Sequence, residues 1–389
     1  MNIERFNAIA RAILADLGSF NSNVKVAELL QHLRQRIAEP GSASVVKTFD
    51  QALIEMRERL PKLESNMFSP TWAQHMREHS LDLFIGADLL DRVEGALGQM
   101  SLTPSVAEKE LGIISQHLSD QVTALQNFVA AMDRFKVSSE LLAPGTAELG
   151  VLIPRIAVSN DVNTFGKELI RISQLVGVFQ EIATGSRAEL KIDSVSSSDL
   201  SIFFTVDPVT AKLWLDALNG ILDTFKNIID IRTTIQDLRS KGVPDQAIEG
   251  LEKHANEQME AKISKTVDET LNAQGIVTRR RTELVMELKM ALNGIAVKLD
   301  NGFNFEVRSE PFEAVSADDE DQAARQAALK AVKAGAGKLR FVRITGQPIL
   351  KLAAPAANDE VDAATEKAEG KPDATVRKPR RKTEGKSAK

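Results

Sequence analysis

Residues 200–240 read LSIFFTVDPVTAKLWLDALNGILDTFKNIIDIRTTIQDLRS, an alternating strand that runs directly into one long helix. Leu200, Ile202, Phe204 and Val206 fall on every second position, with Ser201, Phe203 and Thr205 between them. That alternation predicts a half-buried strand. Asp207-Pro208 closes the strand and opens a helix. Asp207 can accept a backbone N–H as N-cap, and Pro208 at the first helical position has no N–H to leave unpaired. Trp214, Leu218, Ile221, Phe225, Ile228, Ile235 and Leu238 then recur at mostly three- and four-residue steps, with Arg232 filling one gap in the stripe. The helix stops at Lys241-Gly242-Val243-Pro244, where Gly supplies a left-handed cap and Pro forbids continuation. At about 1.5 Å per residue it spans roughly 50 Å, so its far half needs another surface to bury against.

C-terminal to this element, Asp245 begins a helix carrying Ile248, Leu251, Ala255, Met259, Ile263, Val267 and Leu271. The short connector predicts that 208–241 and 245–274 form an antiparallel helical hairpin. A third helix occupies 279–292. After it, Asn301-Gly302 stands between the runs IAVKL and FNFEV, which predicts a β-hairpin with a type I′ turn. N-terminal to the opening stretch, 190–195 is a strand joined to 200–206 by a four-residue loop. Before it, Asn160 or Asp161 caps a helix that runs through Phe165, Ile172 and Phe179 to Thr184-Gly185. Leu149, Val151 and Ile153 alternate ahead of Pro154, and the proline confines this strand to a sheet edge.

The character of the chain changes at Ala143-Pro144-Gly145-Thr146. Ahead of it lie only helical stripes: Ile3 to Leu17 ended by Gly18, Val26 to Ile37 ended by Pro40-Gly41, and Phe49 to Met56. Helices starting at Ser69-Pro70 and Thr103-Pro104 follow, the second running to about Phe135. Spacing sustained over about thirty residues suggests bundle or coiled-coil packing. The expected fold is therefore predominantly α with a smaller α+β part. A helical domain over 1–143 precedes a domain over 147–309 of long antiparallel helices packed with a small, mostly antiparallel sheet. Residues 310–352 read as an acidic linker with a short partly ordered segment: an Ala-rich helix over 323–333, then a hairpin of 339–344 with 349–352. Residues 353–389 have almost nothing apolar to bury and read as a disordered basic tail.

The 389 residues are 43% apolar and carry a net charge of -5, enough for a sizeable core and against a surface that coats nucleic acid throughout. Cysteine is absent, which excludes disulfides, thiolate metal sites and cysteine nucleophiles; a cytoplasmic location fits that absence. Tyrosine is absent too. No window of 18 uncharged apolar residues occurs, so no membrane insertion is expected, and the first residues show no apolar core of a signal peptide.

Among motifs, His75-Met76-Arg77-Glu78-His79 matches H-x-x-E-H, the pattern of inverted zinc peptidases. Histidines four apart share a helix face and can ligate zinc, with Glu78 acting on the bound water. A third ligand is needed, and Glu148 is the one residue to name for it. A pattern with three fixed positions arises readily by chance, and the competing expectation is a solvated amphipathic helix. Gly166-Lys167 and Gly337-Lys338 lack the remaining residues of a phosphate loop. The serines at 196–198 have no base beside them, and His32, His117 and His254 stand singly on helices.

Arg279, Arg280 and Arg281 open a helix, where the macrodipole disfavours positive charge. They read either as a solvated turn or as a contact point for phosphate. From 371 to 389 there are eight Lys or Arg against two acids, including Arg377, Lys378, Arg380, Arg381 and Lys382. Such a tail attracts polyanions without reading sequence. No aromatic residue interleaves the charges to stack on bases.

These readings favour a non-enzymatic interaction or scaffold protein with no cofactor, acting through long helices and associating with itself or with another protein. The alternative is a nucleic-acid-associated accessory protein, of the defence or DNA-maintenance kind, that uses its basic tail. A zinc peptidase built on His75, Glu78 and His79 is the remote third.

Overall fold

Asp207 caps the long helix as its position suggests: its carboxylate accepts the Val209 N–H at 2.8 Å, with Pro208 as the first helical residue. The computed structural model describes residues 3–98, 100, 103–196, 200–275, 280–312, 320–342 and 344–353. Among these the chain forms eleven α-helices and one four-stranded antiparallel sheet, so it is predominantly α with a smaller α+β part. The elements in order are α1 (Ile3–Phe20), α2 (Ser22–Ala38), α3 (Ala43–Arg59), α4 (Pro70–Glu78), α5 (Gly86–Leu97) and α6 (Pro104–Arg134). They continue with β1 (Thr146–Leu152), α7 (Val162–Thr184), β2 (Lys191–Ser196), β3 (Ser201–Val206), α8 (Pro208–Ser240), α9 (Asp245–Ala273), α10 (Arg281–Asp300), β4 (Asn304–Glu310) and α11 (Glu320–Ala336).

Helices α1 to α6 bury Ile9, Leu29, Leu33, Leu89, Leu111 and Leu118 in one apolar cluster. α1 continues past Gly18 and breaks at Asn21, which takes the left-handed conformation at φ 51°. A second cluster joins one face of the sheet to α7 through α10. Trp214 of α8 sits at its centre, edge-on to Phe179 at 4.9 Å and to Phe305 at 5.7 Å. Burying side chains of this kind stabilises by about 1.5–3 kcal/mol each. α8 ends in a Schellman cap: Gly242, at φ 79°, donates to Arg239, and Val243 donates to the Leu238 carbonyl. α9 packs back along α8, and Ile228 and Ile235 of its far half share the cluster with Ile248, Ala255 and Met259. The surface that the far half of α8 needs is thus supplied from within the chain.

Three expectations are corrected. The strand before Pro154 is not an edge strand: β1 is flanked by β3 and β4 in the order β2-β3-β1-β4. Its ladder ends at Leu152, so the proline falls beyond the last hydrogen bond it would have broken. Asn301-Gly302 does not turn a hairpin. Helix α10 runs through the IAVKL stretch to Asp300, and Gly302 at φ 88° forms its cap, with Phe303 N–H on the Lys298 carbonyl and Gly302 N–H on Leu299. A left-handed glycine serves a helix end as well as a type I′ turn, and burial of Leu292, Ile295, Ala296 and Leu299 favours the helix.

The third correction concerns the hairpin expected of 339–344 with 349–352; the Ala-rich helix expected over 323–333 is present as α11. β4 pairs along β1 as far as Glu310, α11 packs on β4 and α8, and the described residues from 337 to 353 form no strand. They lie instead as a strap whose backbone groups are taken by side chains. Asp300 accepts the N–H groups of Ile349 and Leu350 at 2.6 and 2.7 Å, and Asn256 accepts that of Lys351 at 2.6 Å. Arg232, the gap in the α8 stripe, is buried; it donates to Asp300 Oδ1 at 2.7 Å and to the Gly346 carbonyl. The basic tail from residue 354 on lies outside the described residues.

Candidate functional site

Strand alternation gives the sheet a second face of different chemistry. Leu149, Val151, Phe204, Phe305 and Val307 point to the apolar cluster, so Glu148, Gly150, Phe203, Glu306 and Arg308 point the other way. The antiparallel register sets Glu148 opposite Arg308 and Gly150 opposite both Phe203 and Glu306. Arg308 Nη2 donates to both Glu148 oxygens, at 2.9 and 2.6 Å. A Cβ on Gly150 would meet the Phe203 ring at 2.6 Å and Glu306 Cγ at 2.7 Å, so the lack of a side chain there admits both neighbours.

Helix α1 covers this face with Arg5. Its guanidinium lies 3.3 Å from the Phe203 ring centroid, donates through Nε to Glu140 at 2.6 Å, and reaches Glu148 at 3.3 Å and Glu306 at 3.6 Å. Glu306 also accepts the Thr71 N–H at 2.9 Å. A carboxylate from the sheet thereby caps α4 and favours its positive N-terminal end, while the Ser69 hydroxyl at the N-cap position does not cap it. Arg308 lies over the Trp72 ring at 5.4 Å. Arg5, Glu148, Glu306 and Arg308 are all less than a tenth exposed.

Two guanidinium groups thus face three carboxylates in a largely buried junction. Burial raises the Glu148 carboxyl above its ordinary value, against the pull of Arg308 and Arg5. Burial also opposes the charge on Arg308, but Glu148 and Glu306 outweigh it and keep the guanidinium protonated. For Glu140, burial acts upward, and the hydrogen bond and charge of Arg5 overcome it, holding the group below the usual carboxylate range. Buried ions matched in this way hold two elements in register, and removing one partner strands the others.

Beside the junction is a cavity of about 330 Å³ between residues 64–72, Leu141-Leu142, the end of β4 and α11. Met67, Phe68, Trp72 and Ala336 supply apolar wall. Ser69 Oγ, Trp72 Nε1 and Arg308 Nε belong to residues that line it, and none of these buried atoms has a hydrogen-bond partner among the described residues. A wider cleft of about 770 Å³ is lined by Asp82, Asp88 and Asp91 together with Arg77, Arg92 and Arg340. Burial and the two neighbouring aspartates raise Asp88.

The H-x-x-E-H residues occupy the end of α4 and do not converge on one point. His75 is buried and its Nδ1 lies 3.2 Å from Glu78 Oε2, whereas His79 is the C-cap residue and packs edge-on to Phe6 at 5.2 Å. Glu148, the third residue named for zinc, is committed to Arg308 and Arg5. No group of three or more His, Asp or Glu among the described residues is placed to hold a metal. Arg280 pairs with Glu181 and Glu283, and Arg281 donates to Asn272 at 2.6 Å. Arg279 and the tail residues Arg377, Lys378, Arg380, Arg381 and Lys382 lie outside the described residues.

The junction residues Arg5, Glu140, Glu306 and Arg308 carry no motif. Their one signal in the sequence is the pair of charges in FNFEVRSE, alternating with Phe305 and Val307 in a strand whose apolar half is buried. No helix among the described residues is long and apolar enough to cross a membrane. The chain matches no protein-family model, no curated protein and no solved structure.

Proposed function

We propose that the protein is a non-enzymatic interaction protein that associates with itself, and that copies meet at the open sheet edge along β2. The observation that carries this reading is an apolar sheet face extending past its helical cover. Ile192 lies opposite Phe204 and Val195 opposite Ile202, yet the two are 56% and 52% exposed. The other edge, β4, is packed by α11. An uncovered edge strand presents backbone donors and acceptors that a second strand can pair with. Antiparallel pairing of β2 with itself is two-fold symmetric, the commonest symmetry of homo-oligomers. Pairing centred on Ile192 brings Lys191 of each copy near the opposite charge of Asp193, which stands at the irregularity of β2 between Ile192 and Ser194. The buried stripes of α8 and α9 make the long helices a frame for this edge rather than the contact itself.

Light scattering coupled to size-exclusion chromatography tests this on the full chain, with refractive index as the mass detector because only two tryptophans absorb at 280 nm. The expected mass is a multiple of 42.5 kDa, falling to the monomer in Ile192→Lys and Val195→Lys. A monomeric natural chain overturns self-association, and oligomers that survive both substitutions overturn the β2 contact. An excess of 260 nm absorbance that disappears in high salt would favour nucleic-acid association through the basic tail instead.

A further inference from the structure

We propose that the groove between α8, α9 and α10 is a recognition site for an extended peptide. The strap occupies it from within the chain, and a partner protein's segment of the pattern proline–aliphatic–aliphatic–any–aliphatic takes the strap's place. The strap itself shows what the groove reads. Ile349, Leu350 and Leu352 are 1%, 7% and 8% exposed and join the apolar cluster, whereas Lys351 between them faces water. Four side chains from the three helices hold the main chain. Asp300 Oδ2 accepts the Ile349 and Leu350 N–H groups at 2.6 and 2.7 Å. Asn256 donates to the Ile349 carbonyl at 3.2 Å and accepts the Lys351 N–H at 2.6 Å. Asn293 donates to the Ala353 carbonyl at 2.8 Å, and Arg232 donates to that of Gly346.

The Asn256 carboxamide thus offers residues 349–351 the donor and acceptor that a neighbouring strand would offer. Main-chain bonds of this kind give affinity without reading sequence, and sockets for apolar side chains give specificity. Asp300, Asn293 and Arg232 are 1%, 6% and 5% exposed. Burying polar groups is costly unless they are bonded, so a cover that only kept water from the helices would need none of them. Lys351 Nζ reaches Glu252 at 3.0 Å but is 77% exposed, and such a surface pair adds little. The position between the second and third aliphatic residues is therefore free.

The hold on the strap is short. Residues 345–348 are exposed, so the buried anchors fall within 349–353. A segment held over so few residues, by side chains rather than by a ladder, opens without unfolding the helices that hold it. Its tether gives the strap an effective concentration of about 1 mM or more. A free peptide therefore competes poorly in the natural chain and binds once the strap's own anchors are removed. The β2 contact plays no part in this site, so either reading can fail alone.

The probe is the synthetic octapeptide of residues 346–353, Gly-Gln-Pro-Ile-Leu-Lys-Leu-Ala, labelled at its N-terminus with fluorescein and followed by anisotropy. It is titrated into the full-length chain, natural and with the strap released by Ile349→Asp and Leu352→Asp together. Saturable binding is expected to the released chain, at least about tenfold tighter than to the natural one, because a closed groove lowers apparent affinity by its open fraction. Adding Asn256→Ala should weaken that binding at least about fivefold, through the loss of two hydrogen bonds. The same peptide carrying Leu350→Asp should not saturate. Lys351→Pro is a milder release: it removes the N–H that Asn256 accepts and leaves the apolar anchors in place, so it decides the matter where the double variant fails to fold. The proposal is overturned if the peptide saturates neither released chain, if it binds the natural chain as tightly, or if Asn256→Ala leaves its affinity unchanged.

Discussion

Replacing Arg5 by Met removes one charge from the junction while keeping most of the side-chain volume. The natural cluster sets Arg5 and Arg308 against Glu140, Glu148 and Glu306. The variant leaves one guanidinium against three carboxylates. Glu306, which is fully buried, would lose Arg5 at 3.6 Å and keep the Thr71 N–H and the more distant charge of Arg308. Breaking a buried ion pair from one side costs about 3–5 kcal/mol. With a urea dependence of about 3 kcal/mol per molar for a chain of this size, the unfolding midpoint should fall by about 1.3 M. Trp72 beside Arg308 reports the junction directly. Adding Glu306→Gln, which keeps an acceptor for Thr71, should recover part of the loss, with a coupling of at least about 1 kcal/mol in the double-mutant cycle. A single substitution costing less than about 1 kcal/mol, or strictly additive effects, would refute the junction as the element that fixes α1 on the sheet.

Three further outcomes follow from the same geometry. Gly150→Ala should cost about 1–3 kcal/mol by overpacking, seen as a lower Tm, with Phe203→Leu restoring part of it; an unchanged Tm contradicts the close approach of Phe203 and Glu306. Asp300→Ala strands Arg232 and frees the Ile349 and Leu350 N–H groups, so limited proteolysis should cut within 337–353 much faster than in the natural chain. In acid, Glu140 and Glu168 are held below the ordinary value of 4.5, by Arg5 and by Lys298 respectively, each against burial. Their stabilisation is full above about pH 4.5 and is lost as pH falls through the depressed values, while Glu148, raised by burial, takes its proton earlier and partly offsets the loss. Tm should therefore fall below about pH 4.5, and Glu140→Gln should flatten that fall; an acid limb as steep in the variant would contradict the assignment.

Local chemistry made the helices legible. Asp207-Pro208, Asp161 and Gly185 act at helix ends where their types suggest, because capping depends on residues within one turn. The Asn301-Gly302 dipeptide misled because one left-handed glycine fits two structures, and the burial of α10 decides between them. Pro154 misled because its effect depends on where a ladder ends, which only the partner strands set. The junction was illegible for a plainer reason: Arg5 meets Glu140 across 135 residues, and Glu306 caps a helix 235 residues away. Arg232 was visible as a break in an apolar stripe, but its meaning required Asp300 and the strap. The H-x-x-E-H pattern was legible and uninformative about geometry, since α4 ends at Glu78 and leaves His79 against Phe6.

The claim that copies meet along β2 is tested most directly by amide hydrogen exchange of the full chain at low and high protein concentration. An edge strand alone exchanges its outward amides readily, whereas pairing protects them. Protection of residues 191–196 should rise with concentration while that of α8 stays constant, and Ile192→Lys should remove the rise. Exchange along β2 that is independent of concentration in the natural chain would contradict the account.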